Sequence, residues 1–471
     1  MSKARSAKLA VLLLLGAAGC MVGPNYRRPS TPTPPAYKEA EGWAPARPAD
    51  AADRKDWWTV FGDKTLDDLE ARLEVSNQTL AAAEAAYRQA HALVAEDQAA
   101  LWPTITANAS TTASGGGSIN PAGGTTGTGN RVSLGGTWAP DLWGQVRRQI
   151  RGAKAQAQSS AALVANARLS AQTELAADYV LLRELDEEKR ELDGTVAAFA
   201  RTLAITENKY AAGNAARSDM LVARAQLEGA QASDADLVQQ RARMEHAIAI
   251  LTGQPPATLT LSPGPWTLRP PEIPASLPSA LLQRRPDIAD AERLAAAQSE
   301  QIGVAIAAFY PNLTLTGEGG FSASNLGKLF NLSDSFWTVG ASLAETVFDA
   351  GARSARVREA RAAYDQAVAN YRQTVLTAFG QVEDNLAAQL VFGREENTLR
   401  RAYDDAAASV IIAQNEYAAG TVDFTTVATA QVTALQAQRS LVQMQANRLT
   451  TAVSLIEALG GGWTAAELPK D

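Results

Sequence analysis

Apolar and polar positions alternate with a period of two in four short stretches of this chain, and follow helical periods over most of the rest. In the first stretch Ile105, Ala107 and Ala109 alternate with Thr104, Thr106, Asn108 and Ser110; in the second Val132, Leu134, Gly136 and Trp138 stand against Arg131, Ser133, Gly135 and Thr137. The third sets Leu313, Leu315, Gly317, Gly319 and Phe321 opposite Asn312, Thr314, Thr316, Glu318 and Ser322, and the fourth sets Trp337, Val339, Ala341 and Leu343 opposite Thr338, Gly340 and Ser342. This is the period of a sheet with one apolar and one polar face. Segments of about 10 residues match the strands of membrane barrels, which alternate lipid-facing and lumen-facing positions. Trp138, Phe321, Phe336 and Trp337 fall near strand ends, where an aromatic girdle is expected. Polar loops, 115–130 and 322–335, separate the strands of each pair. Open strand edges are not tolerated in lipid, and the smallest common membrane barrels have about eight strands. The pattern therefore predicts an oligomer in which several chains share one barrel.

Between the strand pairs the chain predicts very long helices. Residues 145–210 and 352–417 hold no proline, and each stretch, if helical, would extend roughly 100 Å at about 1.5 Å per residue. Tyr364, Val368, Tyr371, Val375, Ala378 and Val382 recur at spacings of four and three, and Leu435, Val442, Leu449 and Ile456 recur every seven residues. Both are seams of packed helices. Shorter helices are expected at 66–101 and 281–309, the second opened by Arg284-Arg285-Pro286-Asp287 with Pro286 in the first turn.

This layout occurs twice. Lys209-Tyr210-Ala211-Ala212-Gly213 returns as Glu416-Tyr417-Ala418-Ala419-Gly420, 207 positions later, and Gly144 and Gly351 keep the same interval. Trp102-Pro103 and Tyr310-Pro311, like Leu251-Thr252-Gly253 and Leu459-Gly460-Gly461, lie 208 apart. Solenoid repeats are roughly 20–50 residues long, so this is a duplicated half-molecule. Gly213 and Gly420 are placed to end their helices as left-handed residues. Each half then holds a helical hairpin whose tip is farthest from the strands.

Composition narrows the function. Charged residues make up 20% and aromatics 6%, an alanine-rich balance suited to closely packed helices. The formal charge is −7, and no basic cluster follows the first residues, which argues against nucleic acid. The sole cysteine, Cys20, excludes an internal disulfide, and two distant histidines, His91 and His246, leave no Cys/His metal site. No cofactor is expected, and no nucleophile or acid–base constellation suggests an enzyme. Gly127-Thr128-Gly129 lacks the third glycine and following helix of a phosphate loop.

Lys3, Arg5 and Lys8 precede an apolar run at 9–18, the length of a signal peptide core and too short to span a membrane. The run ends in Ala17-Ala18-Gly19-Cys20, which resembles the lipobox of bacterial lipoproteins, with Ala17 where Leu is usual. Cys20 is thus the expected acylated N-terminus. Residues 24–48, rich in proline and alanine, read as an extended tether that packs no core. The resulting domain layout is a signal peptide at 1–19, a lipid-anchored tether at 20–62, a first repeat at 63–262, a linker at 263–278, a second repeat at 279–462 and a tail at 463–471.

Across the whole mature length the chain resembles the outer-membrane efflux family, in its lipoprotein branch serving resistance-nodulation-division pumps and related to TolC-type channels. The resemblance rests on Cys20 with Val22-Gly23-Pro24-Asn25-Tyr26, on Asp141-Leu142-Trp143-Gly144, Arg284-Arg285-Pro286-Asp287 and Phe309-Tyr310-Pro311, and on Val347-Phe348-Asp349-Ala350-Gly351 and the closing Ala458-Leu459-Gly460-Gly461-Gly462-Trp463. It implies a mostly α fold with a membrane β-barrel contribution: a homotrimer whose chains each give four strands to a twelve-stranded barrel on a helical tunnel. It further implies a periplasmic adaptor and an inner-membrane pump as partners, an outer-membrane location, and passive conduction through a gate at the periplasmic tips. Drugs, metal ions and secreted metabolites all suit a wide polar lumen.

In such relatives a tyrosine before the tip glycine, an arginine after it and aspartates on the next helix constrict the mouth. Tyr417 matches the tyrosine, and Asp219, nine positions beyond Tyr210, matches the acid of the first hairpin. Tyr210, Gly213 and Gly420 complete the expected gate region. The second hairpin departs, with Val422 at the arginine position and Thr426 and Thr429 where acids are common. The plain alternative is that Tyr417 and Gly420 only end a helix and Asp219 caps the next. Two other functions fit parts of the pattern. A periplasmic coiled-coil scaffold lipoprotein leaves the strands idle, and a porin without a pump does not require such long helices.

Overall fold

The structure is a computed structural model and describes residues 21–39, 56–115, 126–271 and 278–469. Cys20, the residues expected as a signal peptide and part of the expected tether lie outside the described residues. In chain order the elements are α1 Lys64–Ser76, α2 Gln78–Ala99, β1 Thr104–Gly115, β2 Thr126–Trp138, α3 Gln145–Ala211, α4 Arg217–Leu251, α5 Pro278–Arg284, α6 Pro286–Ala307, β3 Asn312–Ala323, β4 Ser335–Ala344, α7 Ala352–Ala419 and α8 Phe424–Ala458. The protein is mostly helical, with one small sheet. Two helices of 67 and 68 residues dominate it, α3 packing on α2, α4, α6 and α8, and α7 packing on α6 and α8.

Both long helices start in the same way. Asp141 accepts hydrogen bonds from the N–H groups of Val146 and Arg147 and pairs with the Arg147 guanidinium at 3.0 Å. Asp349 does the same for Gly351 and Arg353, pairing with Arg353 at 2.7 Å. The aspartate that stands just before the glycine in each copy, three residues before Gly144 and two before Gly351, is therefore a capping device that satisfies the first N–H groups of the helix. Trp143 stacks on Tyr310 with centroids 4.8 Å apart and donates from Nε1 to Pro311 O, joining the two halves where strands become helices.

The two shorter helices expected from sequence are each broken, which corrects the reading of 66–101 and 281–309 as single helices. Asn77 leaves helical geometry at ψ 120°, accepts from Leu80 N as the cap of α2, and donates from Nδ2 to Leu251 O at the end of α4. Arg285 occupies the matching break, with Pro286 opening α6, and donates to Ala458 O at the end of α8. Each break thus receives the blunt end of another helix and satisfies a carbonyl that would otherwise be orphaned. Glycine is required at both contacts: a Cβ on Gly253 would come 2.2 Å from Ser76 O, and one on Gly460 would come 2.1 Å from Arg284 O. The duplicated Leu-Thr-Gly and Leu-Gly-Gly marks are the signature of these junctions. Around them lies the main core, where Leu175, Tyr179, Leu182, Ile248, Leu281, Ile288, Tyr371, Val375, Leu449 and Val453 are buried.

Residues 21–39 form a strap held against the helices, which corrects their reading as a tether that packs no core. Val22 N donates to Trp143 O. Arg148, wholly buried, donates to Val22 O and Gly23 O at 3.1 Å, to Asn25 Oδ1 at 3.3 Å and to Glu300 Oε2 at 2.8 Å. Farther along, Tyr26 donates to Glu292 Oε1, Arg28 to the Tyr371 hydroxyl, and the N–H groups of Lys38 and Glu39 to the Glu383 carboxylate. Tyr37 is buried in the core.

The four strands form one antiparallel sheet in the order β1-β2-β3-β4. Its register places Ile105 beside Gly136, Leu134 beside Gly319 and Gly319 beside Trp337, so the apolar positions share one face. That face is open: Leu134 is 60% exposed, Trp337 81% and Val339 77%. Phe336 departs from the expected girdle, because the register aligns it with Gly320 and Ser133 on the polar face. Among the described residues no helix is long and apolar enough to cross a membrane.

Candidate functional site

Two features of the fold bear on function, the sheet at one end of the long helices and the hairpin tips at the other. In the sheet β2 and β3 are paired on both sides, while β1 and β4 are each paired on one side only. Free N–H and C=O groups along those two edges, beside an apolar face, are incompatible with lipid unless other strands cover them. The polar face carries threonine, serine and asparagine rows with one ion pair, Arg131 to Glu318 at 2.8 Å. A sheet of this kind is a segment of a barrel wall.

At the tips both helices end as expected. Gly213 and Gly420 each adopt φ +77°, and the N–H groups of Asn214 and Thr421 turn back to Lys209 O and Glu416 O. Tyr210 is exposed at its tip. Tyr417 instead turns inward, edge-on to Phe424 with centroids 5.4 Å apart, against the buried Ala223, Ala413, Val427 and Ala428. Burial raises the pKa of its hydroxyl, and the nearby Asp219 carboxylate adds to the rise. Asp219 lies in the first turn of α4, where the helix cap is Ala216, and its Oδ1 accepts from Ser218 Oγ at 3.2 Å.

The structure brings the two hairpins together through a residue that sequence reading did not single out. Lys209 Nζ donates to Tyr417 O at 2.9 Å and sits 3.9 Å from the centroid of the Tyr417 ring. Arg224 pairs with Glu207 at 3.0 Å within the first hairpin, and Gln226 donates to Ala428 O across to the second. The repeat itself held the signal: Lys209 stands where the second copy has Glu416. Beside the second tip a cavity of about 490 Å³ is lined by Ser409, Thr425, Thr426, Thr429 and Thr433 with small alanines. The groove is polar but uncharged, in keeping with the missing acids at 426 and 429.

A sheet that needs partner strands, an apolar outer face, and paired helical hairpins whose long arms run about 100 Å define a class: a channel protein whose barrel lies in the outer membrane and whose helices form a tunnel beneath it. The sequence model described as outer membrane efflux protein matches residues 71–254 and 277–461, and the chain belongs to that family. It is similar to the pyoverdine export outer membrane protein OpmQ of Pseudomonas aeruginosa, with 31% identity over 98% of each chain. It is similar also to the toluene efflux pump outer membrane protein TtgI of Pseudomonas putida, with 29% identity over 99% of this chain and 100% of that one. Among solved structures it superimposes on the outer-membrane channel OprN with a TM-score of 0.88, at 30% identity over 94% of this chain and all of that one. The Campylobacter jejuni CmeC outer membrane channel, at 24% identity and a TM-score of 0.89, shares the fold. The protein is thus an outer-membrane efflux protein with the TolC-type architecture of helical tunnel and barrel, and its family is one of channels rather than enzymes.

Proposed function

We propose that three copies of this chain close a twelve-stranded barrel, β4 of each pairing with β1 of the next, above a tunnel built from α3, α4, α7 and α8. The observation that carries this reading is the four-stranded ladder with both edges open and its apolar face exposed. The repeats at 63–262 and 279–462 supply one hairpin each to the tunnel mouth. Substrates reach that mouth from a periplasmic adaptor and an inner-membrane resistance-nodulation-division pump, and pass outward without chemistry. The named efflux and export roles of the relatives support such a partnership. Acylation at Cys20 adds outer-membrane lipid as a second anchor; the small residues before it and the strap after it support that placement.

The gate of this reading is at the tips, on the two hairpins that carry Tyr210, Gly213, Asp219, Tyr417 and Gly420. Three Asp219 carboxylates around the threefold axis would repel one another and favour cations. Native mass spectrometry in detergent should give one trimeric assembly; a monodisperse conducting monomer would overturn the architecture. In planar bilayers Asp219→Ala should raise single-channel conductance or reduce cation preference. A folded trimer with both unchanged would remove Asp219 from the gate.

A further inference from the structure

We infer that Arg131 and Glu318 set the ion selectivity of the channel's exit: joined, they leave the barrel interior without net charge, and either one alone turns it into a charge filter. The inference rests on the trimeric-channel reading above. The four strands contain only these two charged residues, one on β2 and one on β3. Register places Arg131 beside Ser322 and Glu318 beside Gly135, so both belong to the polar, lumen-facing rows. Their Nη2 and Oε2 atoms are 2.8 Å apart, and both side chains remain partly exposed on that face.

The arrangement also fixes where the guanidinium sits. It lies 4.1 Å from the centroid of the Phe336 ring on β4, having crossed β3 to reach it. The crossing is open because Gly320, aligned with both Ser133 and Phe336, puts no side chain in the way. A Cβ there would come 2.2 Å from Val132 O, so β2 and β3 approach closely at Gly320. Cation–ring contact and carboxylate together hold Arg131 in one place.

A solvent-exposed ion pair contributes little to stability, so its main consequence is the field inside the pore. Rings of charged side chains select ions in channels. Three opposite pairs, each closed to 2.8 Å, cancel over the distance at which a passing ion would sense them. The loop between β3 and β4 keeps the same balance, with one cation, Lys328, and one anion, Asp334. Cargo of either sign therefore meets a polar, neutral wall near the exit. Charge discrimination is left to the far end of the tunnel.

The test is the reversal potential of purified trimers in planar bilayers under a potassium chloride gradient. Glu318→Gln leaves Arg131 unpaired and should shift the permeability ratio toward chloride; Arg131→Gln should shift it toward potassium. Each change is expected to be about twofold or more at 0.1 M salt and to fade at 1 M, as the screening length falls from about 10 Å to about 3 Å. The double variant should return to the parent ratio. Single variants with the parent's ratio, or a double variant displaced as far as either single, would overturn the inference. A parent protein that conducts as a monodisperse monomer would overturn the trimeric-channel reading itself, and the inference with it.

Discussion

Replacing Arg148 by alanine isolates what the N-terminal strap contributes. The substitution removes the partner of Glu300, whose side chain is only 9% exposed, and removes all three side-chain bonds from Arg148 to Val22, Gly23 and Asn25. Stripping one member from a buried pair costs about 3–5 kcal/mol, because the remaining charge is left without compensation. The strap carbonyls can turn to water once released, so their bonds add little to that global figure. They should decide the local one. We expect Arg148→Ala to lose about 3–5 kcal/mol in denaturant unfolding followed by circular dichroism. It should also expose the strap to trypsin after Arg27 and speed amide exchange over residues 22–28. The double variant Arg148→Met with Glu300→Leu removes the stranded carboxylate and should recover most of the global loss, while the strap stays labile. An Arg148→Ala protein within about 1 kcal/mol of the parent, with the strap still protected, would refute the reasoning.

Two further outcomes follow from single residues. Asn77→Ala removes the cap of α2 and the bond to Leu251 O together; a loss of about 1–2 kcal/mol is expected, and unchanged unfolding midpoints would show that the junction holds without it. Glu70 is fully buried with neither carboxylate oxygen bonded, and burial with Glu74 and Asp67 nearby pushes its pKa from 4.5 up to about 9. The folded chain thus keeps a proton that the unfolded chain releases, and stability should fall as pH rises between those two values. Glu70→Gln should flatten that fall; an unaltered slope between about pH 5 and 8.5 would count against a protonated Glu70.

The strands, the two hairpins and the duplication were legible because each is written locally, as a period or as a glycine at a fixed place. The seam from Tyr371 through Val375 and Ala378 to Val382 is buried as its spacing implied. What escaped reading depends on partners far away in sequence. Nothing near Arg28 announces Tyr371, 343 residues on, and a proline-rich stretch gives no periodicity from which to infer the buried Tyr37. Asn77 sits inside a helical pattern and breaks it only because the end of α4 arrives there. Phe336 looked like a girdle residue by composition and proximity to a strand end, yet parity within the strand assigns it to the lumen. At the tips the repeat located Tyr417 and Gly420 and aligned Lys209 with Glu416, but nothing local says that this lysine reaches Tyr417 O in the other hairpin.

The open edges of β1 and β4 have a consequence for cells making two versions of this chain. A closed ring has no tolerated gap, so a subunit whose β4 edge cannot pair spoils every barrel it enters. With random mixing of equal amounts, only about one in eight threefold rings would be free of it. An edge defect would therefore be dominant, and a lesion confined to the helices, which leaves the ring closed, would be far more easily masked by the intact copy.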